Sequence, residues 1–147
     1  MITVELQNAA SDYTVPDESL FQSWASAIET SQYDQIVALR IVDEKEISEL
    51  NALYRKKQGA TNVLSFPAEL HKDVDIPFIG DVVICAAVVI KEAQQQSKSE
   101  QSHWAHMMVH GILHLQGYDH EDDNDAEQME SKEIQIMSKL GFDNPYI

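Results

Sequence analysis

A single cysteine in 147 residues leaves no partner for an internal disulfide. Cys85 lies within an apolar run, where a buried core thiol is expected, and this usage fits a reducing cytoplasm. Basic residues are also scarce. Ten Lys and Arg stand against 25 Asp and Glu, a formal net charge of -15. That balance counts against charge-driven binding of nucleic acid, and DNA is not an expected partner. Long apolar runs are missing. The longest, Val82 to Ile90, is nine residues, far short of a membrane span, so no membrane association is expected. The N-terminus carries no basic region followed by an apolar stretch, so no signal peptide is expected either. Without repeats or a compositional break, residues 1–147 read as a single domain.

Against these absences stands His110-Gly-Ile-Leu-His114-Leu-Gln-Gly117-Tyr-Asp-His120. Residues four apart share one helix face, so His110 and His114 can point two nitrogens at one ion. Gly117 can take a left-handed conformation, end the helix and reverse the chain. The short Tyr118-Asp119 link then returns His120 as a third ligand. Three protein ligands leave one tetrahedral position open, the pattern of a catalytic zinc site. Imidazoles also suit copper, nickel and iron, so the spacing alone does not fix the metal. One group of zinc proteases shares this spacing and carries a glutamate general base after the first histidine. Gly111 occupies that place here, which argues against peptide hydrolysis. The glycine either leaves room beside the ion, lets a strand or substrate come close, or serves helix packing.

Six histidines are present, and not all are ligands. His71 and His103 read as ordinary core or helix residues. His106 lies four residues before His110 and can support the ligands without binding metal. Asp119 can either orient a ligand histidine or cap the turn. Asn62 and Ser65 can contact substrate or hold a turn.

Around the histidines, alternating apolar residues predict strands at Ile2–Leu6, Gln35–Val42, Thr61–Pro67 and Ile79–Cys85. Helices are expected from Pro16-Asp17-Glu18 through Ile28, and from Asp43 to near Lys57–Gly59, the latter with a capping box to Glu46. Further helices are expected from Ala86 to Gln96, from a cap in Ser97–Glu100 to Gln116, and over Asp122–Lys139. Trp104, Met107, Met108, Ile112 and Leu115 surround the fourth helix, which should be the central, most buried one. Residues 69–77 read as a polar loop. The class is α/β or α+β: about four strands in a mixed sheet, about five helices, and a central metal-binding helix.

Charge is unevenly spread. From Asp119 to the C-terminus there are nine acidic and two basic residues, whereas Arg55, Lys56 and Lys57 are contiguous. A polyanion could bind that basic stretch, although cations also suit a solvated helix end.

Several of these segments together resemble the YbeY endoribonucleases of bacterial rRNA maturation. The resemblance rests on the histidine segment, on Leu53-Tyr54-Arg55 running into Thr61-Asn62-Val63-Leu64-Ser65-Phe66-Pro67, and on Gly80-Asp81-Val82-Val83-Ile84. It covers about the whole chain. The stretch Arg55–Ala60 departs from it, lacking the Asp and Pro usual before the threonine. The resemblance implies that His110, His114 and His120 bind one zinc ion, and that Arg55 is a functional arginine acting with His114. It implies cleavage of single-stranded RNA in ribosomal RNA processing, including the 16S 3′ end, and in ribosome quality control. The small ribosomal subunit or its proteins would be partners. Lys56 and Lys57 would steer the RNA backbone. The attacking group, water or the RNA 2′-hydroxyl, is left open. A different class is also compatible with these residues: a non-enzymatic assembly factor whose zinc holds the helix end in shape.

Overall fold

A computed structural model describes residues 1–30, 33–68 and 77–147. The expectations for His71 and for the loop at residues 69–76 lie outside those residues.

Four strands form one sheet in the order β1-β2-β4-β3: β1 (Ile2–Asn8), β2 (Gln35–Val42), β3 (Val63–Pro67) and β4 (Phe78–Cys85). β1 and β2 are parallel, β2 and β4 are parallel, and β3 runs antiparallel to β4. The sheet is therefore mixed, and the parallel pair β2/β4 carries the densest apolar pattern, as strands covered on both faces do. Strand alternation divides the core. Val4, Val37, Leu39, Val82 and Ile84 face one cluster with the helices α1 (Glu18–Ala25), α4 (Glu100–Leu115) and α5 (Asp123–Lys139). Val42, Leu64, Val83 and Cys85 face a smaller cluster beneath Ile47 of α2 (Glu44–Leu50). Cys85 is fully buried, as its surroundings predict. The fifth helix, α3 (Ala86–Gln95), follows β4 directly.

Local chemistry accounts for the helix starts. The side chains of Asp17, Asp43, Ser99 and Asp122 each accept from a backbone N–H in the first turn of α1, α2, α4 and α5. Two details differ from the sequence expectations. α1 stops at Ala25, although Ile28 still reaches the core through a turn. Glu46 does not complete a capping box, because its carboxylate takes Arg40 at 2.7 Å and 3.0 Å instead.

α4 is the central helix. Ten of its sixteen residues are buried, and it packs against β3, β4, α1, α3 and α5. Trp104 reaches Phe21 edge-on at 6.0 Å, which ties α4 to α1. Among the described residues, no helix is long and apolar enough to cross a membrane.

Gly111 is what lets α4 lie close to the sheet. A Cβ there would stand 2.5 Å from Val82 Cγ1 and 3.3 Å from Ser65 Oγ. Ser65 Oγ donates to the Gly111 carbonyl at 2.9 Å, a buried bond from strand to helix. Of the roles open to this glycine, close approach of a strand is the one the packing displays.

Candidate metal centre

α4 ends just after the second histidine. Gly117 has φ +102°, a conformation that L side chains rarely adopt, and the chain turns back there. The turn brings His120 to within 5.0 Å of His114 and 5.7 Å of His110, ring centre to ring centre. One nitrogen from each of the three histidines lies within 4.8 Å of the others.

The hydrogen bonds assign the faces of two rings. His114 Nδ1 is 3.1 Å from the Tyr118 carbonyl, which can only accept, so in the neutral ring Nδ1 carries the proton and Nε2 is bare. His110 Nδ1 is 3.2 Å from the Glu133 carboxylate, and the same reasoning leaves Nε2 bare in its neutral ring. The two Nε2 atoms are 3.2 Å apart. With both lone pairs facing inward, neither can donate to the other, and the pair is repulsive without a cation. Tetrahedral zinc with Zn–N bonds of about 2.0–2.1 Å separates its ligand nitrogens by about 3.3 Å. The donor set and its spacing therefore fit the ion. Burial lowers the pKa of His114, and the neighbouring His110 and His120 lower it further, which favours the neutral ligand form.

A cleft of about 710 Å³ opens onto these rings. Arg55, Lys57, Asn62, Ser65, Asp119 and Glu121 help to line it. Arg55 arrives there through a single wide turn, a π-turn over Asn51–Arg55 that continues α2. Asn51 is buried in that turn and donates to the Gly59 carbonyl at 3.0 Å, folding the following loop back. Arg55 Nη2 donates to the Ser65 carbonyl at 2.9 Å, so the guanidinium is anchored to β3 beside the histidine helix. Lys56 closes the turn in a left-handed conformation (φ 54°) and is not among the residues lining the cleft, whereas Lys57 is.

Other residues named from the sequence take structural positions. Asp119 Oδ1 accepts from the His120 backbone N–H at 2.7 Å, which is the turn-capping role. It is the Tyr118 carbonyl that orients His114. Ser65 is committed to Gly111, and Asn62 donates to Glu92 at 3.1 Å. His103 is buried and bonds the same Glu92 at 2.9 Å, in keeping with a core histidine. His106 lies one turn behind His110, bonded to Glu133.

Glu133 was not singled out from the sequence. It is wholly buried on α5 and meets His106, His110 and Tyr146. Burial pushes its pKa up, but the hydrogen bonds from His106 and His110, and their charges once protonated in acid, outweigh that and hold it at about 2. The signal was an acid in the apolar stripe of α5, four residues after Met129 and three before Ile136. On so acidic a helix such a residue reads as one more solvated charge.

A solution structure of TM1509 from Thermotoga maritima is similar to this chain, with a TM-score of 0.57 and 26% identity, covering 96% of this chain and 92% of that one. The family described as endoribonuclease YbeY matches residues 5–141, nearly the full length, and the chain belongs to that family.

Proposed function

We propose that this protein is a zinc-dependent endoribonuclease that cleaves single-stranded RNA in the cytoplasm. Its place is in ribosomal RNA maturation, at the 16S 3′ end, and in ribosome quality control, with the small subunit or its proteins as partners. Family membership supports a nuclease acting on RNA. The observation that carries the metal dependence is the pair of His110 and His114 Nε2 atoms, 3.2 Å apart on histidines that line a cleft.

His110, His114 and His120 would hold the ion. Zinc in such a site supplies a Lewis acid for a phosphoryl oxygen and lowers the pKa of a bound water to about 7. The chain's own contribution to phosphodiester cleavage is charge placement. Arg55 spends one N–H on the Ser65 carbonyl and keeps its other donors for the nonbridging oxygens, where negative charge accumulates. Lys57 adds a second cation along the same wall. These two residues give an otherwise acidic protein a local footing for a polyanion, and the acidic C-terminal helix keeps RNA off the rest of its surface.

The test compares purified parent and His114→Ala protein on single-stranded RNA, with metal content quantified in both. Loss of both metal and cleavage in the variant is the expected result. Equal cleavage by both would point to a contaminating nuclease. Metal bound by the parent with no cleavage by either would favour the assembly-factor reading.

A further inference from the structure

We infer that Glu133 is the positioning residue of the metal centre: its buried carboxylate fixes the ring of His110 so that Nε2 faces the ion. The inference rests on the three-histidine site proposed above.

Glu133 is wholly buried, and a buried carboxylate is costly unless its oxygens are satisfied. Three donors, two from α4 and one from the C-terminal segment, meet it. Tyr146 Oη donates to Oε2 at 2.8 Å, and His106 Nε2 shares that oxygen. Oε1 is left for His110 Nδ1 at 3.2 Å. The carboxylate is thus pinned on one side and aimed on the other. An anchor between α4 and α5 would need only a partner on α4. This one ends on the Nδ1 of a ring whose opposite nitrogen is 3.2 Å from His114 Nε2. A carboxylate on the distal nitrogen of a ligand histidine sets its tautomer, holds its plane and raises its basicity.

His106 fits the same scheme. Its Nδ1 is buried without a partner, so the neutral ring with the proton on Nε2 leaves only an acceptor unmet. A protonated ring would bury an orphan donor, which is the costlier state. His106 therefore supports Glu133 and is not a ligand. The nitrogens of His106 and His110 and a Glu133 oxygen also lie within 4.8 Å of one another, the spacing of a second ion. Binding there would require His110 to give up its Nδ1 proton, and the bond to Glu133 makes that proton the one the ring keeps.

The test uses zinc competition against a chromophoric chelator for the parent, Glu133→Gln and Tyr146→Phe. It is combined with nitrogen-15 NMR of the histidine rings in metal-free parent at a pH where they are neutral. The expected outcome is zinc affinity weaker by about 10- to 100-fold in Glu133→Gln, with a smaller loss in Tyr146→Phe. His110 should show the Nδ1–H tautomer in the parent. Affinity within twofold of the parent in Glu133→Gln would overturn the inference. So would two zinc ions per parent chain falling to one in that variant. Where Glu133→Gln does not fold, the ring tautomer decides: a proton on His110 Nε2 overturns the inference, and a bare Nε2 upholds it. His114→Ala separates the two readings, because that variant binding zinc as the parent does sinks the three-histidine site itself.

Discussion

Replacing Gly111 with alanine tests whether this glycine serves the sheet or the ion. The added Cβ would lie 2.5 Å from Val82 Cγ1 and 3.3 Å from Ser65 Oγ. The serine can yield by a few tenths of an ångström, but the valine is β-branched and held in a central strand, so helix and sheet must part. Overpacking of this kind costs about 1–3 kcal/mol. Alanine returns about 1 kcal/mol through its better helix propensity. The net expectation is a loss of about 0–2 kcal/mol, or a fall in Tm of up to about 8 °C in a chain of this size. In a Val82→Ala background the clashing methyls are gone, and the same change should become neutral or stabilising by up to about 1 kcal/mol. Urea unfolding of the four metal-free proteins measures the cycle. A coupling of about 1–3 kcal/mol is expected, and additivity within about 0.5 kcal/mol would refute the packing role. Zinc affinity adds a second reading, because parting α4 from β4 also strains the Ser65 bond to the Gly111 carbonyl, next to His110.

Arg55→Ala should lower kcat on single-stranded RNA by about 10²-fold with metal content unchanged, and Arg55→Lys should not restore it; loss of the metal instead would make Arg55 structural. Gly117→Ala meets no atom within 4 Å, so its cost is conformational strain alone, about 1–2 kcal/mol, read as lower Tm and weaker zinc binding because that turn carries His120. Burial lowers the pKa of His103 and His114 below the ordinary 6.5, so below that pH the unfolded chain takes up protons that the folded one refuses. The stability of the chelator-treated protein should therefore fall as pH drops from about 6.5 toward the folded pKa values, and these groups contribute no slope above it. Urea midpoints at pH 7.5, 6.5 and 5.5 check this, and a midpoint rising toward acid would contradict it.

The strands, the helix starts and the clustering of His110, His114 and His120 were legible in the sequence because each depends on neighbours in the chain. Val37, Leu39 and Ile41 face one side of β2 by the two-residue period alone, and the core cluster contains all three. His110 and His114 share a helix face by the period of 3.6, and Gly117 reverses the chain because it can hold φ +102°. Where a local signal had two outlets, the sequence reading chose wrongly or stayed open. Glu46 sat where a capping box belongs, but Arg40, brought close by β2, offered it a stronger charged partner. Asp119 stayed undecided between capping and orienting until the turn placed it on the His120 N–H.

By itself, then, the sequence determined what is periodic or adjacent: the elements, the cluster of three histidines and the reversal between them. The tertiary structure decided what depends on distant segments meeting. The π-turn delivers Arg55 to Ser65, ten residues away. Gly111 meets Ser65 across 46 residues, and Glu133 meets His106 across 27. Such contacts leave no period in the chain. An acid on a charged helix reads as solvated until packing buries it against a histidine.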